Sequence, residues 1–440
     1  MFIAAPAALM LSCKPAAQGN YTYRGTINPS MHRHLDGKKI FIDPGHGARS
    51  SVDGRVGPSG LREEEVNLKV ATILGSICSA SGAVVKLSRV TDVELSLDDR
   101  VKMAVEFKPD IFISIHHNGN PRPKDRVNYP SILIWGNRDE NPASYDLADL
   151  AMAEFNKSFD SKGIIASDYA VFRETGTQLL RETRELCPGI LGEFGFFTDK
   201  DFEVQLKEEL FNVTEAESYF RAVSEYFKRG IPTATLITDA KISDPEGQLP
   251  VYNRSPRIAI RINSGIDKPG IYPGSLRVTL NDLEIPVKRI DDKTYQLDYG
   301  SLLYPGGSRV RFSFRNPRFQ SSMVLTAGLG VGFGKGEYDG NIAAAVSLID
   351  RGSPREGLYR LLPALYAGFT DPKGDVITYN IARAFDKLGD RKNAGYYYMS
   401  LNQFFPQSAL RSRIPSGYLL DRHVPTDFYG KKVIWEKWDR

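Results

Sequence analysis

The sequence predicts an α/β chain: a largely parallel, twisted sheet flanked by helices, then a small β-sandwich and a short α-helical repeat module. Three observations predict it. From Lys38 to about Gly230, short apolar runs alternate with segments of helical period, the pattern of strand–helix units around a parallel sheet. From about Ile231 to Gln320, short alternating runs are separated by Pro, Gly, Asn and Asp, which suits antiparallel strands and tight turns. Beyond them, small residues recur at helical spacing. At roughly 150 residues per domain, 440 residues allow about three domains. The expected divisions are a leading segment and tether at 1–36, the sheet at 37–230, the sandwich at 231–327 and the helical module and tail at 328–440.

Residues 1–12 (MFIAAPAALMLS) are small and apolar, and Cys13 follows at once. This resembles the end of a bacterial lipoprotein signal, whose cysteine becomes the lipidated first residue. No Lys or Arg precedes the run, and Met10-Leu11-Ser12-Cys13 is a loose version of the cleavage box. The resemblance implies export to a bacterial envelope or periplasm, with a lipid anchor at Cys13. The polar stretch up to residue 36 reads as a tether in which His32 and His34 are solvated.

KKIFIDPGHG reads as a buried strand ending in a Pro/Gly turn, and EEEVNLKVATILGSICSASG as a helix with an acidic first turn. AVVKLSRV is a strand, SLDDRVKMAVEF a helix capped by Ser96, and DIFISIHHN another strand. SILIWG, SYDLADLAMAEFNKSF and GILGEFGFF continue as strand, helix and strand. A long helix is expected from about Asp201 to Arg229. RIAIRINS, SLRVTL, TYQLDYG and RVRFSFRN supply the sandwich, immunoglobulin-like in architecture. The Gly-rich AGLGVGFGKGEYDG is expected to lead into the helices. There Gly352 and Gly389, 389 − 352 = 37 residues apart, open two similar segments. The second, LGDRKNAGYYYMSLNQFFP, resembles a tetratricopeptide unit, which implies a module that binds a protein partner. Tyr396, Tyr397 and Tyr398 read as helix-packing residues, and the tail KKVIWEKWDR either packs back on the body or meets another surface.

Composition excludes several classes. The net charge of +4 is too small over this length for a nucleic-acid-binding stripe. After the N-terminus no 18-residue stretch is free of charge, so no spanning helix is expected. Three cysteines do not make a disulfide framework; Cys78 and Cys187 lie in apolar contexts and read as buried thiols.

The chemistry gathers in four segments. Asp43-Pro44-Gly45-His46-Gly47 leaves a strand on a tight turn, Glu63 opens the next helix, and Ser114-Ile115-His116-His117-Asn118 ends a later strand. Such positions meet at one edge of a parallel sheet. Two imidazoles and a carboxylate form a catalytic zinc set with a fourth position left for water. Half of the six histidines lie in these two motifs. In the fourth segment, Gly189–Phe197, Glu193 interrupts an apolar strand; it either acts as a general base or pairs with a cation such as Arg173.

Taken together, FIDPGHG, LREEEVNL, DIFISIHHN and ILGEFGFFTD, with SLDDRVKMA before the third, resemble the zinc-dependent N-acetylmuramoyl-L-alanine amidases over about Lys38–Gly230. The resemblance implies one Zn2+ held by His46, Glu63 and His116, with Glu193 as the catalytic carboxylate. The implied reaction is hydrolysis of the amide between the lactyl group of N-acetylmuramic acid and L-alanine, with peptidoglycan as the partner. Glu63 is selected from three successive glutamates because it stands five residues before Leu68. His116 is selected over His117 by the motif, and adjacent strand residues face opposite sides. Asp43 either orients a ligand imidazole or braces the turn.

Three features depart from the family. His117 stands where a small residue is usual, Ala48 replaces a second glycine, and residues 174–187 look long. That long segment is either a helix restraining access to the site or an ordinary surface insertion. Two other functions use the same residues: a zinc envelope peptidase cutting within the peptide, or a non-catalytic envelope scaffold carrying a relic domain.

Overall fold

The computed structural model describes residues 23–48, 56–121, 127–172, 176–239, 248–251, 255–299, 303–304, 306–332, 334–366, 373–418, 431–433 and 435–437. Cys13, Arg173 and residues 174–175 lie outside these. The first part holds the strands β1 (Lys39–Pro44), β2 (Val84–Leu87), β3 (Ile111–Asn118), β4 (Ser131–Ile134), β5 (Ile164–Ser167) and β6 (Gly189–Phe196). Its helices are α1 (Glu63–Ala80), α2 (Leu97–Phe107), α3 (Pro142–Phe155), α4 (Gln178–Thr183), α5 (Lys200–Lys207) and α6 (Glu209–Lys228). The strands form one sheet in the order β2-β1-β3-β6-β4-β5. Pairings are parallel except between β4 and β6.

Alternation along the strands sorts the core onto two faces. Ile40, Ile42, Ile113, Ile115 and Ile190 pack with α1, α3 and α6. Phe41, Phe112, Leu133 and Leu191 pack with Ala104 of α2 and Leu179 and Leu180 of α4. Both faces are therefore covered, and the central strands read as unbroken apolar runs. Ser96 caps α2 as expected, its Oγ accepting from the Asp99 amide at 3.1 Å.

Several expectations change. The helix expected from Asp201 to Arg229 is two helices, because Glu208 is extended between them (φ −81°, ψ 127°). The Asn212 amide makes good the break, donating to the carbonyls of Leu206 (3.0 Å) and Glu208 (2.8 Å). The strand β5 was not legible, being a short half-exposed sheet edge. The later residues of the 174–187 segment are neither loose nor superficial. Leu179, Leu180 and Cys187 fill the core of one sheet face, and Gln178 donates to Asp98 of α2 at 2.5 Å. Nor are residues 23–36 a solvated tether. Thr26 Oγ1 donates to Glu217 on α6 at 2.6 Å, and His32 Nδ1 and His34 Nε2 each lie 2.8 Å from the Ser224 hydroxyl. Cys78 and Cys187 are buried and free, and burial pushes both thiols up.

Further along, β7 (Thr233–Thr238), β8 (Gln248–Val251), β9 (Ile258–Asn263), β10 (Arg277–Leu280), β11 (Leu283–Glu284), β12 (Val287–Arg289), β13 (Thr294–Leu297), β14 (Gly306–Ser313) and β15 (Leu325–Val331) build two facing sheets around a shared core. The Gly-rich stretch begins inside β15, which runs to Val331 and so past the boundary expected at 327; its alternate residues Leu325, Ala327, Leu329 and Val331 point inward. Four helices follow: α7 (Lys335–Asp350), α8 (Pro354–Tyr366), α9 (Gly374–Lys387) and α10 (Arg391–Phe404). Gly357 lets α8 lie on α7, since a Cβ there would meet Ile349 and the Ala345 carbonyl. Tyr397 and Tyr398 are buried among these helices. The tail packs back on the body: β16 (Lys431–Lys432) joins β15, β17 (Trp435–Lys437) joins β7, and Val433 enters the core between them.

Leu180 is 2% exposed on a face built by few large side chains. Leu180→Ala is expected to cost about 2–5 kcal/mol, read as a lowered denaturant midpoint at unchanged slope.

Candidate active site

Positions at the C-terminal ends of β1, β3 and β6 converge because these strands are neighbours. Asp43 is in register with Ser114, and His116 with Glu193. Paired residues on adjacent strands project to the same face, so the His116 and Glu193 side chains stand side by side. Every other residue of β6 is buried, and Glu193 alone is half-open. Past this point the pairing of β3 and β6 shifts register, with Gly195 on β6 at φ +83°.

The turn after β1 is unusual backbone. His46 (φ +61°) and Ala48 (φ +39°) adopt positive φ without being glycine, an arrangement costing about 1–3 kcal/mol each. Two buried arginines hold it. Arg89 donates to the carbonyls of Pro44 (3.0 Å), Gly45 (2.8 Å) and Glu64 (2.8 Å). Arg100 donates to the Pro44 carbonyl at 2.9 Å, to that of His46, and to the Asp43 carboxylate. Asp43 also accepts from Ser88 (2.6 Å) and Ser114 (2.8 Å). It therefore braces the turn, the second of the two roles open to it. Burial works against the charge of Asp43, but Arg100 and Ser88 outweigh it and the net shift is downward. Gly45 is required by close approach: a Cβ there would stand 2.2 to 2.6 Å from atoms of the His116 ring.

On this frame three side chains meet. His46 Nε2 is 3.1 Å from Glu63 Oε1, His116 Nδ1 is 3.2 Å from the same oxygen, and the two ring nitrogens are 3.0 Å apart. Tetrahedral ligands at about 2.0–2.1 Å from zinc stand about 3.3 Å from one another. The donor set, its spacing and its partial exposure thus fit a divalent ion with room for a further ligand, and among the described residues this is the group able to hold one. Burial alone would raise the Glu63 pKa; contacts with His116, the His117 amide and Asn67 turn the net shift downward.

The neighbours of Glu63 do other work. Glu64 pairs with Arg62, and Glu65 is exposed. His117 points to the opposite face of the sheet from His116. Its Nδ1 lies 2.8 Å from Asn67 Oδ1 and its Nε2 3.1 Å from Glu215 Oε2 on α6. Glu203 on α5 fixes the approach to Glu63, accepting from Ser59 N (2.9 Å), Ser59 Oγ (2.6 Å) and Leu61 N (3.1 Å). Sequence reasoning missed Arg89, Arg100, Asn67, Glu203 and Glu215. Arg100 left one usable signal, a cation on the inward side of an amphipathic helix.

Two histidines and a glutamate thus stand at the C-terminal edge of a mostly parallel sheet, beside the strand carboxylate Glu193, as a group that could hold a metal ion. Residues 40–225 match the family model described as N-acetylmuramoyl-L-alanine amidase, Amidase_3. It is similar to the N-acetylmuramoyl-L-alanine amidase LytC of Bacillus subtilis, 29% identical over 194 residues that cover 44% of this chain. The match spans only 36% of the length of LytC. It is also similar to an endolysin of Bacillus phage SPP1, 27% identical over 50% of this chain and 81% of that one. Among solved structures, the catalytic domain of the amidase CwlV from Bacillus (Paenibacillus) polymyxa is 29% identical, covering 43% of this chain and 98% of its own, with a TM-score of 0.36.

Gly45→Ala should displace the His116 ring. Affinity for a divalent metal ion is expected to fall at least about tenfold with an unchanged circular dichroism spectrum, measured by competition with a chromophoric chelator.

Proposed function

We propose that this chain is a zinc-dependent N-acetylmuramoyl-L-alanine amidase, releasing stem peptides from peptidoglycan outside the cytoplasm during cell-wall remodelling. The observation that carries the reading is the meeting of His46, Glu63 and His116 beside Glu193 at one sheet edge. His46, Glu63 and His116 are the proposed zinc ligands. Bound there, zinc supplies Lewis-acid polarisation of the scissile carbonyl and a more acidic water. Glu193 takes a proton from the attacking water as it adds to the lactyl amide carbon, then returns it to the departing L-alanine nitrogen.

The helical module is proposed to bind an envelope protein and the sandwich to support it, with tetratricopeptide-like and immunoglobulin-like architectures respectively. A lipid at Cys13 would hold the enzyme at a membrane; among the described residues no helix is long and apolar enough to cross one.

The test is direct. Glu193→Ala should retain zinc and lose about 10²–10⁴ of the rate of stem-peptide release from purified peptidoglycan. Chelation should abolish release by the wild type, and added zinc should restore it. Mass analysis should find free L-alanine amino termini; fragments cut within the peptide would instead identify a zinc peptidase. Near-wild-type turnover by Glu193→Ala would remove the catalytic assignment.

A further inference from the structure

Behind the site, on the opposite face of the sheet, lies a buried polar cluster that the proposed reaction leaves unused. His117 and Glu215 have fully buried side chains in contact at 3.1 Å. Sequestering such a pair costs several kcal/mol per ion. Among the described residues Glu215 Oε1 has no hydrogen-bond partner, so the carboxylate is committed to His117 alone. Burial raises the Glu215 pKa more strongly than His117 lowers it.

The direction of the hydrogen bonds is forced. Asn67 Nδ2 faces Glu63 Oε1 (3.2 Å) and the Gly45 carbonyl (3.3 Å), both acceptors. Its NH2 group must therefore lie on that side and its Oδ1 must face His117. His117 Nδ1, 2.8 Å away, must then carry a proton and donate it. That places Nε2 against Glu215, where one proton is shared whichever partner holds it. The His117 amide adds a further bond to Glu63 Oε1 at 3.1 Å. The oxygen that faces both imidazoles is thus held from behind by the His117 amide on β3 and by Asn67 on α1.

We propose that His117, oriented by Glu215, is a positioning residue that acts through Asn67 to set the angle of the Glu63 carboxylate. This rests on Glu63 being a metal ligand, as proposed above. His117 then accounts for itself at a position where the resembling family has a small residue: the chain carries an added brace on its acidic ligand. Asn67 orients Glu63 directly, His117 fixes which way the Asn67 amide faces, and Glu215 fixes the His117 ring.

The experiment is zinc competition with a chromophoric chelator on the full chain, with thermal unfolding measured alongside. His117→Leu removes the donor to Asn67 and is expected to weaken zinc at least about tenfold. His117→Asn puts an NH2 group at the place of Nδ1–H and is expected to bind zinc close to wild type. Glu215→Gln, whose amide can donate to Nε2, should also remain close to wild type. A purely structural cluster would give the opposite pattern, with both His117 variants losing stability and neither losing zinc. Wild-type zinc affinity in folded His117→Leu, or equal losses in His117→Leu and His117→Asn, overturns the proposal. Should His117→Leu not fold, Asn67→Leu takes its place, with the same loss expected and unchanged affinity overturning the relay. Glu63→Gln separates the two ideas: if it binds zinc like the wild type, Glu63 is not a ligand and the reading of the site falls first.

Discussion

The Arg100–Asp43 ion pair, with Arg89 beside it, is the constraint on which the site depends. The turn from Asp43 to Ala48 must carry an imidazole out over the sheet edge, which demands two non-glycine residues at positive φ. It also turns the carbonyls of Pro44, Gly45 and His46 away from any strand partner. Buried carbonyls without donors would each cost as much as a lost hydrogen bond. The two guanidiniums supply the missing donors, and Asp43 balances one of the charges they bring. Among the described residues these bonds go to backbone carbonyls and to Asp43 rather than to the side chains of His46, Glu63 or His116, and they hold the shape of the turn. A buried ion pair is seldom worth much as stability alone. Here its value lies in holding one conformation.

Strand alternation then divides the labour of neighbouring residues. His116 and His117 differ by one position and serve opposite faces of the sheet, one at the mouth and one in the packed layer under α1 and α6. The same alternation places Glu193 beside His116, while Gly192 turns towards α6, where a Cβ would meet the Tyr219 hydroxyl. A slip of one residue in either strand would exchange these roles, since every side chain would change face. The apolar sets of β3 and β6 prevent the slip by being committed to both cores.

What the sequence made legible was what local chemistry writes in consecutive residues. The strand–turn motif of His46, the acidic helix start at Glu63 and the polar interruption at Glu193 are each visible within ten residues, and the structure brings the first two together with His116. The sheet order and the antiparallel place of β4 depend on contacts far apart in the chain and leave no local mark. Arg89, Glu203 and Glu215 belong to the same class: their partners lie 25 to 144 residues away. The docking of His32 and His34 on Ser224 was hidden for a related reason, since a polar stretch looks like a tether until the helix it lies on is known. The Gly-rich end of β15 misled because glycine disfavours strands in isolation, whereas here the inward Leu325, Ala327, Leu329 and Val331 decide the matter.

The same long-range contacts place the later modules relative to the site. Ser321 donates its amide to Asp146 on α3 at 2.6 Å, and Asn316 donates to the carbonyl of Arg229 at the end of α6 at 2.7 Å. The neighbouring Ser144 of α3 accepts from Gly189, the first residue of β6, so these contacts lie at the strand end away from Glu193. Glu215, by contrast, meets His117 near the other end of α6. Between residues 215 and 229, α6 rises about 1.5 Å per residue, or about 20 Å. The sandwich is thus seated under the sheet while the mouth of the site faces away from that contact. The helices are fixed to the sandwich in turn by Asp282, which accepts from Tyr366 (2.6 Å) and Tyr397 (3.2 Å) and pairs with Arg309 and Arg311. The helical module is thus joined to the sandwich, and the sandwich to α3 and the end of α6. From that contact α6 runs back to Glu215, which lies against His117 behind Glu63.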